Sequence, residues 1–259
     1  MARAIEELCQ GEMQGADEVQ VLIEGARAWG MELSEAQRQA FRTYYEELAA
    51  WNARFNLTAI TGCRQVQLRH FLDSLSCLLV LDEWFPADVP APRVIDMGAG
   101  AGFPGIPLKL LRPDWDLTLV DSGRKKVLFL QHMVEVLRLS GLQVLWARAE
   151  DLGQDLQHRE LYDVALARAV AELSVLAEYL LPFCQVGGMM LAPKGVKAQV
   201  EVQAAERAIC TLGGRVVEVR AVDVPGLEEV RCLVVVEKIA STPARYPRRP
   251  GIPSKRPLS

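Results

Sequence analysis

Residues 93–107, Arg-Val-Ile-Asp-Met-Gly-Ala-Gly-Ala-Gly-Phe-Pro-Gly-Ile-Pro, restrict the fold of this chain more than any other stretch. A short apolar run from Val94 to Met97 holds one acid, Asp96, and passes directly into Gly98, Gly100 and Gly102. A buried parallel strand leaves its sheet in this way, because glycines let the backbone turn tightly and approach a ligand. The segment from Pro104 to Leu111 then supplies proline at an early helical position and an apolar face, as a helix start requires. Strand, glycine loop and helix predict a nucleotide-binding corner.

Glycine spacing discriminates between nucleotides. A dinucleotide fingerprint needs a third glycine three residues after the second, so that a helix N-terminus meets a pyrophosphate. Phe103 stands there instead, and Gly102 comes one residue early. Asp96 before the loop also suits a ligand with a cationic or hydroxyl-rich end better than a pyrophosphate. Gly-x-Gly-x-Gly after an acidic strand end is the adenosylmethionine version of this corner. Taken alone, the motif fits a plain glycine turn about as well.

Beyond the corner, strand and helix patterns alternate. Strands are expected at Leu117–Val120, Val144–Trp146, Tyr162–Ala167 and Met189–Ala192, the last opened by Gly187 and Gly188. Helices are expected at Gly123–Leu139, Glu172–Phe183 and Val196–Leu212. This alternation predicts a mostly parallel sheet covered on both faces. Two late β-rich runs, Val216–Val224 and Cys232–Glu237, lack an intervening helix and should pair antiparallel. Seven strands finished by an antiparallel hairpin make the methyltransferase variant of the Rossmann-like, doubly wound α/β fold.

In front of this domain (residues 91–240) a helical cap is expected over 34–90, closed by Pro86, Pro90 and Pro92. Ser34 and Gln37 form a capping box, and Phe41, Tyr44, Tyr45, Leu48 and Trp51 follow at helical spacing as a core face. A second helix is expected from about Val66 to Leu81, with Arg64, Arg69, His70 and Asp73 on its polar side. Residues 1–33 are a variable, acid-rich start, frayed or helical. Residues 241–259 hold five basic residues, no acids and many prolines; the expectation is a cationic tail unable to pack.

The bulk properties exclude several classes. With 50% hydrophobic and 24% charged residues the chain is an ordinary globular protein. No secretory signal is seen, and no apolar run approaches the roughly 20 residues that span a bilayer. A cytoplasmic protein is expected, without a membrane partner. Its six cysteines are scattered without a Cys-x-x-Cys pair, and its three histidines lack metal-ligand spacing, so no metal is expected. A net charge of −4 means that any nucleic acid must be met by local basic patches.

In open α/β sheets ligands bind outside the carboxyl ends of the strands. Asp96, Asp121, Glu150, Arg168 and Lys194 follow five successive strands and should converge on one rim. Asp121, 23 residues after Gly98, suits a pair of ribose hydroxyls or caps the helix after it. Ala149 and Glu150 would flank an adenine; otherwise Glu150 is an ordinary surface acid. Phe103 lies against the ligand or plugs the space under the loop. Arg168 holds a carboxylate or phosphate, or makes a structural ion pair. Lys194 meets RNA phosphate or is a solvated loop lysine.

Together these residues resemble the glucose-inhibited division protein B family of bacterial small-subunit (16S) ribosomal RNA guanine-N(7) methyltransferases. The matching stretches are Trp51-Asn52-x-x-Phe55-Asn56-Leu57-Thr58, Arg69-His70-Phe71-Leu72-Asp73-Ser74, Asp96 through Pro107, Asp121-Ser122, Arg148-Ala149-Glu150 and Ala167-Arg168-Ala169. They cover the chain from about Leu33 to the tail. The resemblance implies a class I S-adenosyl-L-methionine-dependent enzyme that methylates a guanine in the decoding region. It places the cofactor on Gly98, Gly100, Gly102, Phe103, Asp121, Ala149, Glu150 and Arg168. Candidates to position the guanine or its phosphates are Arg69, His70, Asp73 and Lys194. Guanine N(7) has a free lone pair, so no general base is obligatory and no catalytic residue is singled out.

The implied partner is 16S rRNA or the small subunit, met by a monomer. Arg64, Arg69, Arg124, Lys125, Lys126, Lys194, Lys197 and the tail form the expected basic face. Three rivals remain: a methyltransferase acting on a small molecule or protein, a dinucleotide-dependent oxidoreductase, and a non-catalytic RNA-binding assembly factor.

Overall fold

The computed structural model describes residues 19–258. Residues 1–18, and with them most of the acidic start, lie outside the described residues, as does Ser259. The first described helix is α1 (Gln20–Ala28), which buries Leu22, Ile23 and Ala26. Ser34 then opens α2 (Glu35–Phe55) through the expected capping box, its hydroxyl accepting from Gln37 N–H while the Gln37 side chain accepts from Ser34 N–H. Phe41, Tyr44 and Leu48 on α2 are buried, and the helix stops at Asn56 in the left-handed region.

The single helix expected over Val66–Leu81 is divided. It runs as α3 (Cys63–Val66), a π-helical stretch (Gln67–Leu72), α4 (Asp73–Leu75) and, after a turn, α5 (Leu78–Trp84). A π stretch shifts the hydrogen-bond ladder by one residue and leaves carbonyls available to other donors. The Ser74 hydroxyl bonds to His70 O, and Arg168 reaches Arg69 O at 3.0 Å. Periodicity finds the apolar face of this segment but is blind to the shifted ladder.

The main sheet comprises β1 (Arg93–Met97), β2 (Asp116–Asp121), β3 (Leu142–Trp146), β4 (Tyr162–Leu166), β5 (Cys184–Lys194), β6 (Gly214–Val222) and β7 (Arg231–Lys238). Their order is β3-β2-β1-β4-β5-β7-β6. The first five are parallel neighbours, and β7 runs antiparallel to both β5 and β6. The connecting helices are α6 (Gly105–Leu111), α7 (Arg124–Val136), α8 (Ala149–Leu152), α9 (Leu173–Leu180) and α10 (Ala198–Thr211). This is the doubly wound sheet with an antiparallel end that the sequence predicts.

The pleat divides the core. Val94, Leu117, Leu119 and Val164 face one hydrophobic layer, shared with α2 and the π segment, while Ile95, Val120 and Ala165 face the other. β5 is longer than expected, and Gly187 and Gly188 lie within it. A Cβ on Gly188 would stand 2.7 Å from Asp163 O, so only glycine lets β5 approach β4 at their register shift.

The tail overturns the expectation that it cannot pack. Tyr246 and Thr242 are buried, and a short helix, α11 (Ile252–Lys255), ends the described chain. Its polar backbone is satisfied by side chains of the main domain. Arg159 donates to the carbonyls of Thr242 and Tyr246, both at 2.7 Å. Arg248 forks onto the buried Glu178 at 2.6 and 2.9 Å. A proline-rich segment has few donors of its own; such supplied partners satisfy it, and Tyr246 anchors it in the second hydrophobic layer.

Candidate functional site

The sheet order reverses between β1 and β4, and at such a switch point the loops part to leave a crevice. Gly98, Gly100 and Gly102 there have φ of +76°, +62° and +93°, a region that L side chains avoid. A Cβ on Gly98 would stand 2.7 Å from Val170 Cγ2, so glycine also sets the width of the crevice. At Gly100 a Cβ would meet only Gly98 O at 3.8 Å, which leaves open space beside the backbone. Asp121 fixes the loop from β2. Its Oδ2 accepts from Gly100 N–H at 2.9 Å and its Oδ1 from Gly123 N–H at 2.7 Å.

Beneath the loop, Tyr44 of α2 donates to Ala101 O at 2.5 Å and stacks on Phe103 at 5.3 Å. The helical cap is therefore a support for the glycine loop as well as a core face. Phe103 lies between Tyr44 and His70, whose ring stacks on it at 4.4 Å. Asp96 departs from the expected rim. It is fully buried behind the loop, accepting from Gly105 N–H at 2.9 Å through Oδ2 and leaving Oδ1 without a partner. Burial holds its carboxyl up to about 7, against the opposing pull of the Gly105 bond and Arg168.

Three clefts adjoin along the strand ends. The first, of about 210 Å³, lies among Gly98, Asp121, Ala149, Glu150, Tyr179 and Ser254. The second, of about 400 Å³, shares Gly98 and Asp121 with it and continues over Gly100 and Phe103 to Arg168. The third, of about 370 Å³, shares His70 and Arg168 with the second and reaches Arg69, Asp73, Lys194 and Arg231. One trough thus runs from the β3 side of the sheet to β5.

Arg168 is the node between the last two clefts. It donates to Asp73 Oδ2 at 2.7 Å, approaches His70 Nδ1 at 3.2 Å, and lies 5.2 Å from the Phe103 ring centre. Arg231 holds the other Asp73 oxygen at 2.8 Å. Because an arginine can only donate, His70 Nδ1 accepts, and the ring proton sits on Nε2, facing Thr58 Oγ1 at 2.9 Å. Burial first and Arg168 second push the His70 imidazolium down to about 3. At neutral pH the His70 ring is therefore uncharged.

The structure brings together Gly98, Gly100, Phe103, Asp121, Ala149, Glu150, Arg168, His70, Asp73, Arg69 and Lys194. Gly102 lies below the trough, where a Cβ would stand 2.5 Å from the Tyr44 hydroxyl. The alternative readings of Glu150 and Lys194 are excluded. Glu150 is a buried acid that accepts from Gly251 N–H at 2.8 Å, not a surface one. Lys194 is not a solvated lysine either, since its ammonium donates to Glu201 and to Ala171 O, both at 2.7 Å. The basic face is only partly continuous. Arg69 pairs with Glu229, while Arg124 lies over Trp146, Lys125 over Phe55, and Lys126 beside Asp121.

Sequence reasoning missed Tyr44, Tyr179, Arg231, Trp146 and Ser254. Trp146 alone carries a sequence signal, a large aromatic at a strand end among cations, and it is 62% exposed. Among the described residues no group of three His, Cys, Asp or Glu side chains is placed to hold a metal. Nor is any described helix long and apolar enough to cross a membrane.

Residues 37–229 match the profile of a family described as rRNA small subunit methyltransferase G, GidB. A protein of Roseiflexus castenholzii named ribosomal RNA small subunit methyltransferase G is 54% identical over 237 residues, covering 92% of this chain and 98% of its own. Proteins of the same name from Pelotomaculum thermopropionicum and Dehalococcoides mccartyi are 48% and 46% identical, each over 92% of this chain and 98% of theirs.

Proposed function

This chain belongs to the rRNA small subunit methyltransferase G family, and from that premise we propose its reaction. It transfers a methyl group from S-adenosyl-L-methionine to N(7) of a guanine in the decoding region of 16S rRNA. In this reading it works as a monomer in the cytoplasm, on the RNA or the assembled small subunit. The observation that carries the proposal is the continuous trough, with a glycine-floored half and a cationic half that meet at Arg168 and His70.

The residues of the first half fit the cofactor. Space is open beside Gly100, Asp121 retains lone pairs for two ribose hydroxyls, and small Ala149 leaves room for a flat ring beside Glu150. When bound, the cofactor supplies a methyl group made electrophilic by its sulfonium. Phe103 and Arg168 would border the methyl-bearing end, with His70 behind them. The third cleft would receive the guanine, with Arg69 and Arg231 facing its phosphates and Lys194 beside them.

The chain needs no proton acceptor for this acceptor atom, and His70, held neutral with both ring nitrogens engaged, offers none. Its residues act by holding the reactants in line and close together. Incubation with labelled S-adenosyl-L-methionine and small subunits lacking the modification is expected to label one guanine, mapped by cleavage selective for N(7)-methylguanine. Binding of the cofactor with no label on subunits or stripped RNA would refute the ribosomal reading. Turnover on a small molecule or protein alone would favour the first rival.

RNA contact is expected around the first turn of α7, where Arg124 lies over the exposed Trp146 and Lys125 over the half-buried Phe55. Replacing Arg124 and Lys125 by glutamate removes two phosphate contacts. Affinity for the subunit should fall with a salt slope shallower by about 1.4, while cofactor affinity is kept. An unchanged slope would exclude this face.

A further inference from the structure

The docked tail ends at the first cleft. Gly251 N–H donates to Glu150 Oε1 at 2.8 Å, and the Ser254 hydroxyl meets the Tyr179 hydroxyl at 2.8 Å. Glu150, Tyr179 and Ser254 all line that cleft. The tail is anchored before it arrives there. Arg159 grips the carbonyls of Thr242 and Tyr246, Arg248 grips the buried Glu178, and Pro247 packs over Gly153, 2.8 Å from where a Cβ would stand. Arg248 is spent on an internal carboxylate while Arg245, Arg249, Lys255 and Arg256 stay exposed, so this pair and the Arg159 grip are what hold the tail in place.

We propose that residues 250–256 form a fixed wall of the cofactor cleft, with Ser254 and Tyr179 binding the adenosyl end. The assignment rests on the proposed function, which gives that cleft its ligand. It adds a binding element from beyond the residues, 37–229, that match the family profile. The chemistry suits a purine edge. Tyr179 also faces the Glu150 carboxylate, so Ser254 donates to Tyr179 and Tyr179 to Glu150, and the two hydroxyls turn lone pairs toward the cleft. The amino donor of a flat ring can use them. Gly251 N–H meanwhile fixes Glu150, so that the carboxylate next to the ring is held by the tail itself.

The test compares the full chain with a variant lacking residues 250–259 and with Ser254→Ala and Tyr179→Phe. The truncation keeps the Arg159 and Arg248 anchors, so folding is preserved, and melting without ligand checks this. Calorimetric titration with S-adenosyl-L-methionine and with S-adenosylhomocysteine is expected to show at least tenfold weaker binding after truncation. Each single hydroxyl removal should weaken binding about fivefold. Binding of unmodified small subunits without cofactor should be unchanged. Cofactor affinity equal to that of the full chain in all three variants would overturn the proposal. So would a loss of subunit binding alone, which is the signature of an RNA arm. Failure of the full chain to bind either ligand would instead remove the cofactor reading, and the proposal with it.

Discussion

Arg168→Ala is expected to abolish methyl transfer and to lower the melting temperature by about 10 °C. The side chains of Arg168 and Asp73 are 12% and 7% exposed, so solvent cannot replace the arginine. Removing one partner of a buried pair costs about 3–5 kcal/mol. The lower figure applies because Arg231 still holds the second Asp73 oxygen. For a chain of this size each kcal/mol moves the midpoint by about 2–4 °C.

The functional loss has a separate cause. Without Arg168, His70 Nδ1 and the Arg69 carbonyl lose their donor, the Phe103 ring loses its cation, and the two halves of the trough are no longer tied together. Arg168→Lys in its place returns a cation to Asp73 Oδ2 without the planar fork that reaches His70 and the Arg69 carbonyl. Thermal denaturation should then show partial recovery, while a methyl-incorporation assay should not. Recovery of both would reduce Arg168 to a structural ion pair, and retention of full transfer by Arg168→Ala would remove it from the site.

How far the site could be read beforehand follows from how local its physics is. The glycine loop, Asp121 and the strand order are legible because each is set by neighbouring residues: a turn that needs positive φ, an acid at a strand end, alternation of period. The docked tail is not legible. Its five cations and its prolines describe an unfoldable arm, and partners distant in sequence, among them Arg159, Glu178 and Glu150, dock it on the main domain. Asp96 is misplaced by sequence for a similar reason. A carboxylate at a strand end faces solvent unless a backbone donor such as Gly105 N–H waits behind the loop. The π stretch escapes because its apolar residues keep near-helical spacing while its ladder shifts. Tyr44 reads as core, which it is, but burial by itself says nothing of the Ala101 carbonyl at its hydroxyl.

Asp96 leads to the second large effect, a stability that declines as pH rises. Its carboxyl is raised from 3.8 to about 7 in the folded chain, so the native state binds a proton that the unfolded state has released between those values. A raised folded pKa means stability that is fully present below about 4 and is lost as pH climbs through 7. Each tenfold difference in proton affinity between the folded and unfolded chain is worth about 1.4 kcal/mol, so the loss amounts to about 4 kcal/mol. Other carboxylates work in the opposite sense: Glu160, held low by the Thr242 N–H and Lys238, destabilises the fold when protonated. A bare pH profile therefore mixes the two, and the difference from Asp96→Asn isolates the first. Asparagine keeps an oxygen for Gly105 N–H and places its amide nitrogen where Oδ1 has no partner, so it copies the protonated acid in charge and in shape. Denaturant unfolding of both proteins is expected to give nearly equal stabilities at pH 4, a variant more stable by about 2 kcal/mol at pH 5, and one more stable by about 4 kcal/mol at pH 8. A difference independent of pH would mean that Asp96 is ionised in the folded chain throughout, with Arg168 and the Gly105 amide outweighing its burial.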